Sequence, residues 1–295
     1  MRRTLVAAVA GAAMLFAVNG APAVAQPPPA PGVAVIGDFG SRSPAEGDVA
    51  RMVTGLGVRT VVTTGDNLYG DSSHDDSSYA EAVGAYYCGF IGGAPTSALC
   101  RGSSMARANA FFPATGNHDY SDGGIQQYLA YFGSLHGSTS YSVTRDGIEF
   151  IVVDSQAALD SSDSMARQQR EVRERAMRST ARWQVVVLHH PPYSSSSAHG
   201  STQQFQWPYA QWGVDLVLSG HDHDYERLRV GGLTYVVIGT GGADLYAFGD
   251  PLPGSLVRDD AHHGALVLRS TPTALVGEYW TTPGQRRDRF LLVPR

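Results

Sequence analysis

Residues 33–40 read VAVIGDFG: four apolar residues run straight into Gly37 and Asp38. A continuous apolar run of strand length is the pattern of a strand buried on both faces, as in a parallel sheet, and this one ends in a carboxylate. The same arrangement recurs downstream in RTVVTTGDNLY (59–69), FFPATGNHD (111–119), VVVLHH (185–190) and VDLVLSGHDH (214–223). Each run closes on Asp, Asn or His. In open α/β sheets, ligands gather beyond the carboxyl ends of the strands, so five such ends are able to face one site. Glycine stands directly before Asp38, Asp66, Asn117 and His221, where it permits a sharp turn and a close approach of chain to ligand.

Further strands are expected over 150–153 and 235–238. Between the strands lie helical patterns. Over 44–56, Ser43 can cap, Pro44 fits the first turn and Glu46 completes a capping box. Over 165–180, Arg167, Arg170, Arg173, Arg175 and Arg178 mark a solvated face. Strands alternating with helices predict a layered α/β domain. Towards the C-terminus, short strands over 265–268 and 274–279 predict a second, partly antiparallel sheet.

The chain has 295 residues, of which 43% are hydrophobic and 17% charged, enough for one sizeable core. All 22 Lys+Arg residues are arginine, which excludes a Walker A lysine, a Schiff-base lysine and pyridoxal phosphate attachment. A net charge of −5 offers no footprint for a phosphate backbone, so nucleic acid is not expected as a main partner. Met1-Arg2-Arg3, an apolar run over 5–18 and Ala23-Val24-Ala25 read as a secretory signal, residues 1–25, cleaved after about Ala25. The run falls short of the roughly 20 residues a spanning helix needs. A stiff leader rich in proline follows over 26–32, and one catalytic domain over 33–295. In an oxidising compartment the two cysteines, Cys88 and Cys100, are expected to form a structural disulfide. The acidic stretch 71–76 reads as a solvated loop.

Asp, Asn and His are oxygen and imidazole donors that suit Zn, Fe or Mn, and no spaced cysteines suggest structural zinc. One such residue at a strand end is usually a turn, and one buried His is usually a satisfied core residue. Five in one chain exceed the needs of a single ion. A carboxylate shared between two ions roughly 3.5–4 Å apart is the arrangement that hydrolyses phosphate esters.

These blocks resemble the five signature motifs of the calcineurin-like metallophosphoesterases, over residues 33 to about 241. The GDNLY block, with Tyr69 following Asp66, is similar to the small single-domain type of the purple acid phosphatase branch. The resemblance implies a four-layer α/β/β/α sandwich of two mixed sheets flanked by helices. It puts Asp38, Tyr69 and His223 on a first metal and Asn117, His189 and His221 on a second, with Asp66 bridging. In that branch the first metal is Fe(III), coloured by its tyrosinate bond, and the second is Fe(II), Zn or Mn; in the broader family Zn or Mn fills both. Two cations would draw the pKa of a water toward neutrality, giving hydroxide that attacks phosphorus in line. His118 corresponds to the histidine that hydrogen-bonds the ester and protonates the leaving oxygen, with Asp119 as its partner. His199 resembles a second histidine facing the substrate.

Of the pair His189-His190, the first fits the motif spacing, and neighbours on a strand point to opposite faces, so His189 is taken as the ligand. His74, His136, His262 and His263 read as surface or loop residues. The expected activity is that of a secreted phosphatase acting on small phosphomonoesters. A phosphodiesterase or nucleotide hydrolase on the same metals is the alternative, and a non-catalytic metal- or phosphate-binding protein is the alternative of another class. No G-x-S-x-G elbow supports a serine hydrolase.

Overall fold

The computed structural model describes residues 31–70, 77–92, 106–121 and 125–294. The expected signal segment, most of the leader, the acidic stretch with His74, and Cys100, the expected partner of Cys88, lie outside the described residues. In chain order the strands are β1 (Gly32–Ile36), β2 (Val58–Thr63), β3 (Phe111–Pro113), β4 (Tyr141–Arg145), β5 (Ile148–Val152), β6 (Trp183–Val187) and β7 (Leu216–Ser219). They continue with β8 (Tyr225–Val230), β9 (Leu233–Ile238), β10 (Ser255–Asp259), β11 (Gly264–Ser270), β12 (Leu275–Thr281) and β13 (Gln285–Leu292). The helices are α1 (Pro44–Gly55), α2 (Ser77–Tyr79), α3 (Ala85–Tyr87), α4 (Gln126–His136), α5 (Ser155–Asp160) and α6 (Ser162–Arg178), with a π-turn joining α2 to α3.

Two mixed sheets result. One has the order β13-β12-β11-β1-β2-β3 and the other β10-β8-β9-β7-β6-β5-β4. Every residue of β1 is buried, and its side chains divide with a period of two. Val33 and Val35 meet Phe150, Val185, Leu218 and Val236 of the second sheet in the central core. Ala34 and Ile36 face the other way, onto Val49 and Val53 of α1 and Phe132 of α4. On the far side of the second sheet, Ile151, Val186 and Val217 are covered by Val172 and Ala176 of α6 with Phe205 and Trp212. The layers are therefore helix, sheet, sheet, helix, as the resemblance implied.

The C-terminal strands depart from expectation. They do not form a second sheet of their own: β11 pairs antiparallel with β1, and β12 and β13 extend the first sheet, while the second sheet is built from the middle of the chain. The apolar stretch of β11 is buried on both faces, so it occupies the free edge of β1 rather than starting a layer that would face water. β8 and β13 clasp the sheets together. The Tyr225 and Tyr279 rings stack at 3.9 Å, and Asp288 accepts hydrogen bonds from Tyr225 Oη at 2.8 Å and Arg227 Nε at 2.6 Å.

Helix α1 begins as expected at Ser43, whose Oγ accepts from Glu46 N at 3.2 Å, but the capping box does not close. Glu46 Oε2 accepts instead from Arg42 N at 2.7 Å, and Oε1 is buried with no partner among the described residues. Burial pushes the Glu46 carboxyl up to about 9, against the weaker pull of Arg42. The folded chain then holds a proton that the unfolded chain releases near the ordinary glutamate value, so stability falls as pH rises between those two values. Gln at 46 carries no charge and removes that slope. Thermal melts at pH 8 should place Glu46→Gln above the parent by at least about 2–4 °C, the shift that ~1 kcal/mol gives in a domain of this size, with the difference closing near pH 4.

Candidate metal centre

The centre lies where the carboxyl ends of β1, β2 and β3 from one sheet meet those of β6 and β7 from the other. Asp38, Asp66, Asn117, His189 and His221 each stand just past one of these ends, and His223 just before β8. The turns are strained at the donors themselves. Asp38 (φ 57°), Asp66 (φ 49°) and His221 (φ 70°) all adopt the left-handed conformation that costs a non-glycine residue roughly 1–2 kcal/mol. Of the preceding glycines only Gly65 has a positive φ, 102°. The others answer to space: a Cβ would lie 2.0 Å from Thr64 Oγ1 at Gly37, 2.1 Å from Asp66 Oδ1 at Gly116 and 2.3 Å from Asp38 Oδ2 at Gly220. Close approach, rather than turn conformation, is what these three positions require.

The side chains form two clusters. In the first, Tyr69 Oη is 3.3 Å from Asp38 Oδ1 and 2.9 Å from His223 Nε2. In the second, Asn117 Oδ1 is 2.9 Å from His189 Nε2 and 3.0 Å from His221 Nδ1, and those two nitrogens are 3.2 Å apart. Asp66 joins them: its Oδ2 is 3.4 Å from His189 Nε2, and donor atoms of Asp38, Asp66 and His189 lie within 4.8 Å of one another. The structure thus gathers all seven residues that the sequence nominated as ligands, in the grouping the resemblance implied. The carboxylates are also laced across motifs, Asp66 Oδ1 accepting from His118 N at 2.9 Å and Asp38 from His221 N at 3.1 Å.

Hydrogen bonding fixes which atoms are free. His189 Nδ1 donates to Thr64 O at 2.9 Å and His223 Nδ1 to Asp244 O at 2.7 Å, which leaves both Nε2 atoms as lone pairs aimed inward. His189 Nε2 then faces Asn117 Oδ1 and the Asp66 carboxylate, acceptor against acceptor. Protonation is a poor remedy, since burial pushes the His189 imidazole down to about 4 and drives His221 further down, helped by the neighbouring imidazoles. Burial, then the charges of Asp38 and Asp119, holds the Asp66 carboxyl well above its ordinary range. Cations between these atoms reverse every one of these penalties, and carboxylate, amide, phenol and imidazole donors are the set that Fe, Zn or Mn accepts. The residues fit two metal ions.

A family model described as calcineurin-like phosphoesterase matches residues 31–225, which spans every donor. The chain belongs to the calcineurin-like phosphoesterase family. Curated relatives of this chain include purple acid phosphatase 15 of Arabidopsis thaliana, 32% identical over 125 residues, which are 36% of this chain and 23% of that protein. Phosphoenolpyruvate phosphatase of Allium cepa is 32% identical over 101 residues, 32% of this chain and 21% of that protein. The matched stretches therefore span less than a quarter of either relative. Among solved structures, the anchor protein GAP50 of the Plasmodium inner membrane complex overlays with a TM-score of 0.71 at 16% identity, covering 90% of this chain and 89% of that one. A purple acid phosphatase from seeds of yellow lupin (Lupinus luteus) overlays with a TM-score of 0.64 at 17% identity, covering 90% and 54%. At these identities the likeness is one of fold.

Around the donors, some expectations change. Asp119 is not the partner of His118: its carboxylate accepts from Gly116 N at 2.8 Å, Asn67 Nδ2 at 2.9 Å and Tyr79 Oη at 2.8 Å, and so ties the GDN and GNHD turns together. The His118 ring lies against Tyr69 at 4.4 Å, and burial lowers its pKa. His189 is set apart from His190 by position rather than strand alternation, its Nε2 meeting Asn117 Oδ1 at 2.9 Å and Asp66 Oδ2 at 3.4 Å. Both histidines of the pair lie past the end of β6 with rings 4.9 Å and 4.5 Å from that of His221, but His190 Nδ1 is held by Ser155 Oγ at 2.8 Å. His199 is exposed at the rim, its ring stacked on His221 at 4.1 Å. His262 bonds Asp259 at 2.9 Å, and the side chain of His136 lies outside the description.

Two residues escaped the sequence reading. Tyr246 stacks on His223 at 4.0 Å, and no motif announces it. Asp154 follows β5 and takes a 2.6 Å hydrogen bond from Tyr120 Oη while capping α5 through Ala157 N at 3.0 Å; its signal was there, a sixth apolar run ending in a carboxylate. The packing at Gly116 gives a direct test of the assembly. Gly116→Ala should displace Asp66 and cut bound metal by half or more in elemental analysis, with the far-UV circular dichroism of the fold retained.

Proposed function

We propose that the chain is a secreted, dinuclear metal-dependent phosphatase of the purple acid phosphatase type, acting on small phosphomonoesters. The observation that carries this reading is the pair of donor clusters joined through Asp66, with the Tyr69 phenol in one of them. Asp38, Tyr69 and His223 would hold Fe(III), and Asn117, His189 and His221 would hold Fe(II), Zn or Mn; Zn or Mn at both sites is the variant without colour. Bound there, the two ions supply an activated water and neutralise the charge on the phosphoryl oxygens.

The chain's own groups do the rest. The carbonyls of Thr64 and Asp244 keep the His189 and His223 lone pairs pointing inward. His118, beside Asn117, and His199, over His221, are the groups at hand to hydrogen-bond the phosphoryl oxygens and to return a proton to the leaving oxygen. Relatives named for phosphatase activity on phosphomonoesters support the substrate class. Secretion rests on the character of residues 1–25, and among the described residues no helix is long and apolar enough to cross a membrane. The fold alone would not choose an enzyme, because GAP50, named as an anchor, shares it.

The purified protein should contain two metal ions, absorb in the visible and turn over p-nitrophenyl phosphate faster than its bis ester. Tyr69→Phe should bleach the colour with activity partly kept. A faster bis ester reaction would make it a diesterase, and two bound metals with neither ester cleaved would make it a binding protein.

A further inference from the structure

Two rim segments border the metal centre. Residues 194–200 carry His199, stacked on His221 at 4.1 Å and 27°, and residues 244–249 carry Tyr246, stacked on His223 at 4.0 Å and 10°. The segments are zipped to each other: Ser197 N donates to Ala247 O at 3.0 Å, Gly249 N donates to Ser195 O at 2.8 Å, and Ser196 and Phe248 form an antiparallel bridge. The rim therefore behaves as one unit, and two buried carboxylates hold it down. Glu226 accepts from Ser195 N at 2.7 Å, Ser195 Oγ at 2.6 Å and Ser255 Oγ at 2.5 Å. Asp222 sits in the backbone between His221 and His223, and it accepts from His199 N at 3.2 Å through Oδ1 and from Gly200 N at 3.2 Å through Oδ2.

We propose that Asp222 is a positioning residue that seats His199 over the metal centre. The inference rests on the reading of His199 as a group facing the substrate, and it adds what keeps that exposed side chain in place. Consecutive N–H groups at a turn, here with Gly200 at φ 73°, form a small concavity that suits an anion. Asp222 is fully buried and the hydroxyls of Ser194 and Ser196 also face it, so its charge is directed at the rim rather than at water. One short stretch, His221-Asp222-His223, then offers two imidazoles to the metals and fixes the position of a third histidine.

The test uses the full chain loaded with metal, p-nitrophenyl phosphate as substrate, and the variants Asp222→Ala, Asp222→Asn, His199→Ala and Asp222→Ala with His199→Ala. Asp222→Ala should lower kcat/KM by about tenfold, the scale of one lost hydrogen bond, with metal content unchanged. Asp222→Asn, which keeps an acceptor for one N–H, should fall between. The double variant should lie within about twofold of His199→Ala, because both changes remove the same contribution. In amide hydrogen exchange, His199 and Gly200 should exchange at least about tenfold faster in Asp222→Ala and Asp222→Asn should again be intermediate. Multiplying losses in the double variant, loss of metal from Asp222→Asn, or unchanged exchange at the two amides would overturn the proposal. A parent protein that cleaves no phosphate ester would overturn the phosphatase reading instead, and the exchange measurement would still decide the position of Asp222.

Discussion

Acceptor atoms brought together around the buried Asp38, Asp66 and His189 are the constraint on which the rest of the structure depends. His189, Asn117 and Asp66 present acceptors to one another at 2.9 Å and 3.4 Å, and the carbonyls behind the imidazoles stop the rings from presenting a proton instead. Without a cation, that arrangement is relieved by a proton on Asp66, whose carboxyl burial holds well above its ordinary range, and a cation relieves it without one. Left-handed backbone at Asp38, Asp66 and His221 adds strain of ~1–2 kcal/mol apiece. Metal binding at pH 7 is worth on the order of 10 kcal/mol in structural sites, which comfortably offsets that strain. The residues fit metal ions, which would also help to hold these turns in their conformations.

Two sheets are needed to deliver such a set. Asp38, Tyr69 and Asn117 come from the first sheet and His189, His221 and His223 from the second, so each donor cluster is assembled only by the way the sheets pack. The core between them is made of branched and aromatic side chains, Val33, Val35, Val185 and Leu218 with Phe150, that leave little freedom for one sheet to slide on the other. Just past His223 the Tyr225–Tyr279 stack and the Arg227–Asp288 pair pin β8 to β12 and β13. Packing behind the donors thus sets how they converge. A cavity in that core would be felt at Asp66, the one residue that both clusters share.

The legible part of the sequence was the part where chemistry and pattern coincide. β1 is apolar throughout, β2, β6 and β7 carry apolar runs, and a donor follows each, so both strand and ligand could be read at once. β8, reading YERLRV, and β13, reading QRRDRFLL, were missed because antiparallel strands near an edge mix charged and apolar residues, and nothing in Arg227 or Asp288 alone says that they will pair across sheets. Asp119 was misassigned to its sequence neighbour, whereas its buried carboxylate serves Asn67 and Tyr79 from other segments. The carbonyls of Thr64 and Asp244 are backbone atoms and leave no trace in residue identity, although they decide which imidazole nitrogen is free. Tyr246 depends on a loop whose path only the fold supplies.

The donors and the rim have different origins in the fold, and that separation bears on substrate choice. Ligands stand on turns clamped by Asp119, Thr64 and the glycines at 37, 116 and 220, where a single added Cβ collides with another motif. Such turns cannot vary without losing metal. The rim residues His199 and Tyr246 ride on surface segments that meet the centre through ring stacking, through the carboxylate of Asp222, and through the backbone of Asp244 and Tyr246, which bonds His223. Beyond those contacts the segments can change in length and composition while the donors keep their places. On the phosphatase reading proposed above, reaction type would follow from the buried turns and the shape of the accepted ester from the rim. A shared fold with an anchor protein and with a phosphatase is what this division of labour permits: the sandwich is common to both, and the chemistry depends on whether the turns keep their donors.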